Sequence, residues 1–394
     1  MRQLLEQITI PRAVGTAGNQ KVTALVKEQL EQNGYEVTNL PFQCMVWEDG
    51  ESWIEWDSRK QSVSVSPYSK AFDGEGTAQA VSSVEALADL SCEESIVFLT
   101  GELSAESLQP KDYPFYYPDE HKQIIDLLEA KKPLAVIAVT GKDMMSGMEP
   151  FPMFDDGNFE IPSGYLSVDD FEAIWGDVIG NRVSLHLDSR CSETESGQLY
   201  AEKKARNAKG KIVIGGHMDT KNHTVGALDN AAGVVTLLKT AEKVTAEKVT
   251  AENYDIGIVP FNSEEYFGAD GELAYLRKVQ ADGDNIALFI NIDSVGHIGS
   301  KAAVSLYNIS EEMTELITGM IEEREDVVIG EQWYAGDHAT FAFRGVPCIA
   351  VTSSDIFAGG LNDTHTMRDT IDTVDVRLLS ETASFLMDVV GKMK

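Results

Sequence analysis

The chain is predicted to be an α/β protein, with a mixed, mostly parallel central sheet, helices on both faces and a smaller β-rich domain inserted into it. Three observations carry this prediction. From residue 212 onward, short apolar runs at 212–216, 259–261, 288–292 and 346–352 alternate with helical patterns, as in a parallel sheet covered by helices. Each run delivers histidine or acidic residues at or soon after its end, and the crevice beyond the carboxyl ends of such strands is where ligands bind. Between residues 60 and 181 the texture changes to short β-rich pieces that lack this pattern. The domains expected are therefore 1–59 and 182–394, forming one body that carries the site, and 60–181 as the insert.

The elements follow in order. Val22, Leu25, Val26 and Leu30 mark one face of a helix over 21–33, which Gly34 ends. Strands are expected at 35–47 and 51–56, then at 62–66, 78–81 and 95–100 within the insert. A helix at 121–131 precedes a strand at 134–139, and a long Gly/Pro/Met-rich loop covers 141–164. Ser167 opens a short helix over 168–175, and 182–187 returns as a strand. After a strand at 198–202 the run 212–216 reaches His217-Met218-Asp219. Turn-forming residues occupy 221–228, and Asp229-Asn230 opens an Ala/Gly/Val-rich helix over 231–240. An imperfect Ala-Glu-Lys-Val-Thr repeat from Ala241 either extends this helix or forms a charged surface loop; it is too short for a solenoid. Amphipathic helices are expected at 311–324 and 376–393.

At 394 residues and 43% hydrophobic content the chain can bury a substantial core. Its formal charge of −32, from 64 acidic against 32 basic residues, argues against binding nucleic acid or an anionic membrane. No apolar run has signal-peptide or transmembrane length, so the sequence as written reads as cytoplasmic. The 4 cysteines, Cys44, Cys92, Cys191 and Cys348, are widely spaced and read as free thiols.

A lone His-x-Asp is equally a histidine on a capping acid, but this chain repeats the gesture at Glu264-Glu265, Asp293 and His365. Two divalent ions about 3.5–4 Å apart need one shared carboxylate and further ligands on each. His217 and Asp293 would complete one ion, Glu265 and His365 the other, and Asp229 would bridge them. Asp219 is placed to hold the far imidazole nitrogen of His217. Adjacent residues on a regular strand face opposite ways, so Glu264 and Glu265 must lie just past a strand end to serve one site. Glu265 then binds metal, and Glu264 takes a proton from a metal-bridged water and passes it to the leaving amine. Of the other histidines, His223 is expected to face solvent or the cleft. His297 and His186 are expected to be structural, His121 forms no ligand spacing with the acids of the insert, and His338 is expected to be either a helix-cap residue or an oxyanion or substrate ligand.

The order of motifs, Gly216-His217-Met218-Asp219, Gly226 to Gly233, Asn262-Ser263-Glu264-Glu265, Asn291-Ile292-Asp293, Gly336 to Phe341 and Asp363-Thr364-His365-Thr366, resembles the M28 family of di-zinc aminopeptidases. The resemblance covers 197–394 and the opening 12–42. It implies the same ligand set, two zinc ions, a cis peptide at Asp229-Asn230, and peptide substrates with a free N-terminus. The insert is similar in position and texture to a protease-associated domain. Two departures stand out: members with that insert are commonly secreted, and Tyr266-Phe267-Gly268-Ala269 is bulkier than the family pattern. The same metal core also serves carboxypeptidases, dipeptidases and other amide hydrolases. Arg344 and Arg368 are the arginines closest in sequence to the later site motifs, and neither is evidently aimed inward to hold a substrate carboxylate, which favours aminopeptidase. A single-zinc glutaminyl cyclase, or a non-catalytic binding protein on this fold, fits less well because ligands for both ions and the base are all present.

Overall fold

The computed structural model describes residues 1–143, 147–246 and 253–393. The chain forms two compact units, one comprising Met1–Cys44 with Glu195–Lys394 and the other Met45–Thr194. The second unit is wider than the insert expected at 60–181. The reason is strand pairing: Trp53–Trp56 pairs antiparallel with both Arg59–Ser62 and Arg182–Leu187, which draws these flanking strands into the insert's sheet.

The first unit is built on an eight-stranded sheet in the order Glu36–Asp49, Ser189–Lys203, Tyr254–Phe261, Gly210–His217, Ile286–Ile292, Cys348–Ser353, Ala302–Tyr307 and Val327–Ile329. The four central strands run parallel. Antiparallel neighbours, Ser189–Lys203 on one side and Ala302–Tyr307 on the other, flank them and make the sheet mixed, as the sequence predicts. The central strands are apolar on both sides because both faces are covered. Ile212 and Ile214 pack on one face with Val22, Val26, Val235, Leu386 and Val390 from three helices. Val213, between them, packs on the other with Phe261, Tyr275, Phe289 and Phe341. Parallel strands put their carboxyl ends along one edge, where His217 and Phe261 lie in register.

Helix Ala17–Gln32 is capped by Thr16, whose side chain accepts from the Asn19 amide. The helix after Asp229 begins later than expected, at Ala232, and runs to Ala246; the remainder of the repeat lies outside the described residues. The expected 141–164 loop contains Pro162 and leads into a strand, Ser163–Ser167, that pairs parallel with Ala135–Thr140. Among the described residues no helix is long and apolar enough to cross a membrane.

Candidate metal centre

His217, Glu265 and Asp293 leave the carboxyl ends of central strands, and Asp229 and His365 stand on the segments that follow two of these strands. His217 is the last residue of Gly210–His217 and is 1% exposed. Asp293 follows Ile286–Ile292 directly, its amide donating to the Val351 carbonyl at 2.9 Å. Glu264 and Glu265 follow Tyr254–Phe261 after Ser263, whose φ of 135° turns the chain out of the strand. That turn is what the paired glutamates require. His365 arrives on the irregular segment after Cys348–Ser353 and adopts a left-handed φ of 58°.

Asp229 stands at the middle. Its Oδ1 lies 2.9 Å from His217 Nε2 and its Oδ2 lies 3.0 Å from His365 Nε2. One carboxylate thus presents an oxygen to each imidazole, the disposition a shared ligand needs. Glu265 Oε1 lies 2.7 Å from His365 Nε2, and Asp293 Oδ1 lies 3.6 Å from His217 Nε2. Ligating atoms of His217, Asp229 and Glu265 all fall within 4.8 Å of one another. Two imidazole nitrogens and three carboxylates, all buried except the half-buried His365, are a donor set suited to zinc. The peptide joining Asp229 to Asn230 is cis. Asn230 then locks the corner in place: its Nδ2 donates to Ile292 O at 2.9 Å, and its Oδ1 accepts from Gly233 N at 2.9 Å and Ser294 N at 3.2 Å. A side chain at Gly233 would put its Cβ 2.0 Å from Asn230 Oδ1, so that position must be glycine.

The electrostatics follow from this crowding. Burial acts to lower the pKa of His217, but the carboxylates around it, Glu264 foremost, raise it well above the ordinary imidazole value. His365 behaves likewise, with Glu265 and Asp229 outweighing burial. Burial acts to raise Asp229, yet its bonds to both histidines hold it below the usual carboxylate range. Glu264 is pushed well above that range by burial, whereas Glu265 is lowered because it faces His365.

Asp219 departs from the expected role. Its Oδ1 is 3.8 Å from His217 Nδ1, too far for a hydrogen bond. It accepts instead from the backbone amides of Glu264 at 3.3 Å and Glu265 at 3.1 Å. Two N–H groups left open where the chain exits its strand take the carboxylate, so Asp219 holds the paired glutamates. His338 Nε2 faces the Trp333 carbonyl at 2.8 Å and Nδ1 faces Asn291 Nδ2 at 3.3 Å, which uses both nitrogens within the fold and keeps the ring neutral. Burial lowers its pKa in the same sense. His297 is tied to Asp355 at 2.8 Å, His186 stacks on Trp53, His121 Nδ1 accepts from Gln109 N at 2.9 Å, and His223 is exposed. Arg344 donates to Thr340 O at 2.5 Å, and Arg368 to Asp363 Oδ1 at 3.2 Å and to Asn362 O, so both turn to local partners.

Four residues near the centre escape sequence reasoning: Arg12, Asp369, Glu272 and Asp337. Glu272 and Asp337 are buried in side-chain contact beside Glu264. Pro11-Arg12 carries no pattern, and Glu272 reads as an ordinary first-turn acid. Asp337 lies within the motif Gly336 to Phe341 but was given no role of its own, and Asp369 follows His365 by four residues.

The sequence model of peptidase family M28 matches residues 198–390, which hold all five candidate ligands and Glu264. Residues 198–390 are an M28 peptidase domain. The M28 fold extends further in space. An aminopeptidase from Aneurinibacillus sp. is similar at a TM-score of 0.74 and 18% identity, over 99% of this chain and 91% of that one. An M28 peptidase precursor from Shewanella amazonensis gives 0.71 and 20%, over 99% and 92%. A zinc aminopeptidase from Bacillus subtilis gives 0.69 and 17%, over 99% and 93%. No curated protein sequence matches the chain significantly. At these identities the likeness is one of fold, and it takes in the insert as well as the M28 domain.

Proposed function

We propose that this protein is a metal-dependent aminopeptidase that removes N-terminal residues from peptides. His217 and Asp293 would hold one zinc ion, Glu265 and His365 a second, with Asp229 between them. Two ions held there would polarise the scissile carbonyl and bring the pKa of a water from about 15.7 toward 7. Glu264 takes the proton of the attacking water and returns it to the departing amine. Its burial raises its basicity above that of an exposed carboxylate, as general-base work near neutral pH requires. The insert, Met45–Thr194, is a protease-associated-like module in this reading.

The observation that carries the reading is the meeting of two histidines and three carboxylates, with Asp229 facing both imidazoles, Glu265 facing one and Asp293 near the other, and with Glu264 beside His217. Preference for a free amine rests on charge. Arg344 and Arg368, the arginines closest in sequence to the later motifs, are turned to local partners, and Lys221 donates to Glu265 O at 3.0 Å, while the carboxylates of the centre suit a cationic substrate terminus.

The test is a rate comparison on zinc-loaded protein between aminoacyl anilides with free amines and the same compounds acetylated. Hydrolysis confined to the free-amine set and abolished by chelator is expected. Equal turnover of both sets would remove amine recognition. Turnover of neither, with C-terminally free dipeptides cleaved instead, would favour the dipeptidase or carboxypeptidase alternative.

A further inference from the structure

His217 and Asp229 are joined by a loop of turn-forming residues with no regular structure of its own. Something outside the loop must fix the distance between them. Arg12, completely buried and more than 200 positions away from it in sequence, contacts both ends of that loop. Its Nε donates to Met218 O at 2.6 Å, one residue past His217. Its Nη1 donates to Val225 O at 2.5 Å and its Nη2 to Gly226 O at 2.8 Å, just before Asp229. The remaining contacts, to Ile8 O at 3.3 Å and Ile10 O at 3.2 Å, anchor the guanidinium to its own segment, and Arg12 N donates to Thr220 Oγ1 at 3.2 Å. Asp369, four residues after His365, accepts from Leu228 N at 2.6 Å and Asp229 N at 3.0 Å. Gly226 permits the approach: its φ is +51°, and a Cβ there would lie 2.2 Å from Asp229 O and 3.2 Å from Arg12 Nη2.

We propose that Arg12 and Asp369 are the positioning residues of the metal centre. The planar guanidinium acts as a spacer that sets His217 against Asp229, and Asp369 couples Asp229 to the segment bearing His365. This rests on the metal-centre reading above. Neither residue touches the reacting atoms. A fork of fixed angles is essential to the idea, because a lysine carries the same charge on one nitrogen and cannot reach Met218 O and Gly226 O together.

The experiment measures zinc affinity by competition with a chelating indicator, alongside melting of the metal-free protein, for wild type, Arg12→Lys and Asp369→Asn. Loss of a group that orients metal ligands weakens binding by about 10–100-fold, and that loss is expected in both variants while circular dichroism of the metal-free forms stays native. Wild-type affinity in a variant whose metal-free melting temperature alone has fallen would overturn the proposal, since that is what a merely structural role gives. If Arg12→Lys fails to fold, Asp369→Asn decides by the same criterion. A wild-type protein that binds no zinc would overturn the metal-centre reading itself, and this proposal with it.

Discussion

Glu264 and Glu265 occupy consecutive positions in the same enclosure, and their environments drive them apart. Glu265 faces His365 at 2.7 Å and is held ionised, as a ligand must be, whereas for Glu264 burial outweighs the neighbouring His217 and keeps its carboxyl well above the usual range. The division follows from the turn at Ser263 and from Asp219, which grips both amides. Replacing Glu264 by Gln keeps shape and removes the base. Zinc affinity should be unchanged and kcat should fall by about 10²–10⁴-fold, the usual worth of a general base; comparable kcat in the variant would remove Glu264 from the mechanism. The two imidazoles give a second prediction. In metal-free protein both are raised well above the ordinary histidine value and carry protons that an ion must displace. Zinc binding should release protons, and affinity should rise by about tenfold per pH unit for each proton displaced. Calorimetry in buffers of different ionisation enthalpy measures that number, and zero release would contradict the protonated state. The five candidate ligands were legible in the sequence because each is a metal-binding residue type at a strand end or in the segment that follows one. The role of Asp219 was not, because backbone N–H groups at a strand exit carry no sequence signal.

At the scale of elements, the four parallel strands were legible because each is apolar throughout and ends in a polar motif. Strands that alternate weakly were read short. Phe72–Val81 was expected only from residue 78, since Asp73, Gly74 and Glu75 lie exposed or half-buried in its first half and Gly76, though buried, adds no side chain to the pattern. Ser163–Ser167 was hidden behind a Gly/Pro-rich run. Helix Asp270–Asp282 shows what no pattern reveals. Its first-turn Glu272 is buried in contact with Asp337, and burial raises both carboxyls well above the ordinary range. Two buried carboxyls in contact cannot readily both ionise. A carboxyl whose folded pKa is raised stabilises the fold below its unfolded pKa and loses that contribution as pH rises through the folded value. Glu272→Gln cannot ionise, so it should be nearly neutral at pH 5 and should stabilise the chelator-treated protein at pH 9. Thermal melts at the two pH values test this; equal effects at both would mean that Glu272 is not kept protonated by the fold.

At the scale of the whole molecule, acidic residues outnumber basic ones by 64 to 32, and the candidate metal centre concentrates acidic groups locally. Asp219, Asp229, Glu264, Glu265, Asp293 and Asp337 crowd together with His217 and His365, and added divalent ions relieve that repulsion. Ion binding to the folded state alone raises stability by about 2.7 kcal/mol at a concentration 100 times the dissociation constant. Chelator should therefore lower the melting temperature, and added zinc should restore it in a concentration-dependent way. An unchanged melting temperature would mean that no ion binds specifically. The division into two units carries the remaining prediction. Every ligand, Glu264, Arg12 and Asp369 belong to Met1–Cys44 or Glu195–Lys394, and none to Met45–Thr194. The ends left by removing the insert are neighbours, since Gln43 Nε2 donates to Glu195 Oε2 at 3.3 Å. A short Asn-Gly turn is the natural closure for two strands so placed. A chain with Met45–Thr194 replaced by that turn should bind zinc as tightly as the full chain, because the residues that hold and position the ions are all retained. Turnover of long and short peptides by the same variant then separates two roles for the insert. If zinc affinity and dipeptide turnover persist while long peptides are cleaved differently, the insert governs substrate choice. If a folded variant no longer binds zinc, the centre depends on the insert and the units are not separable.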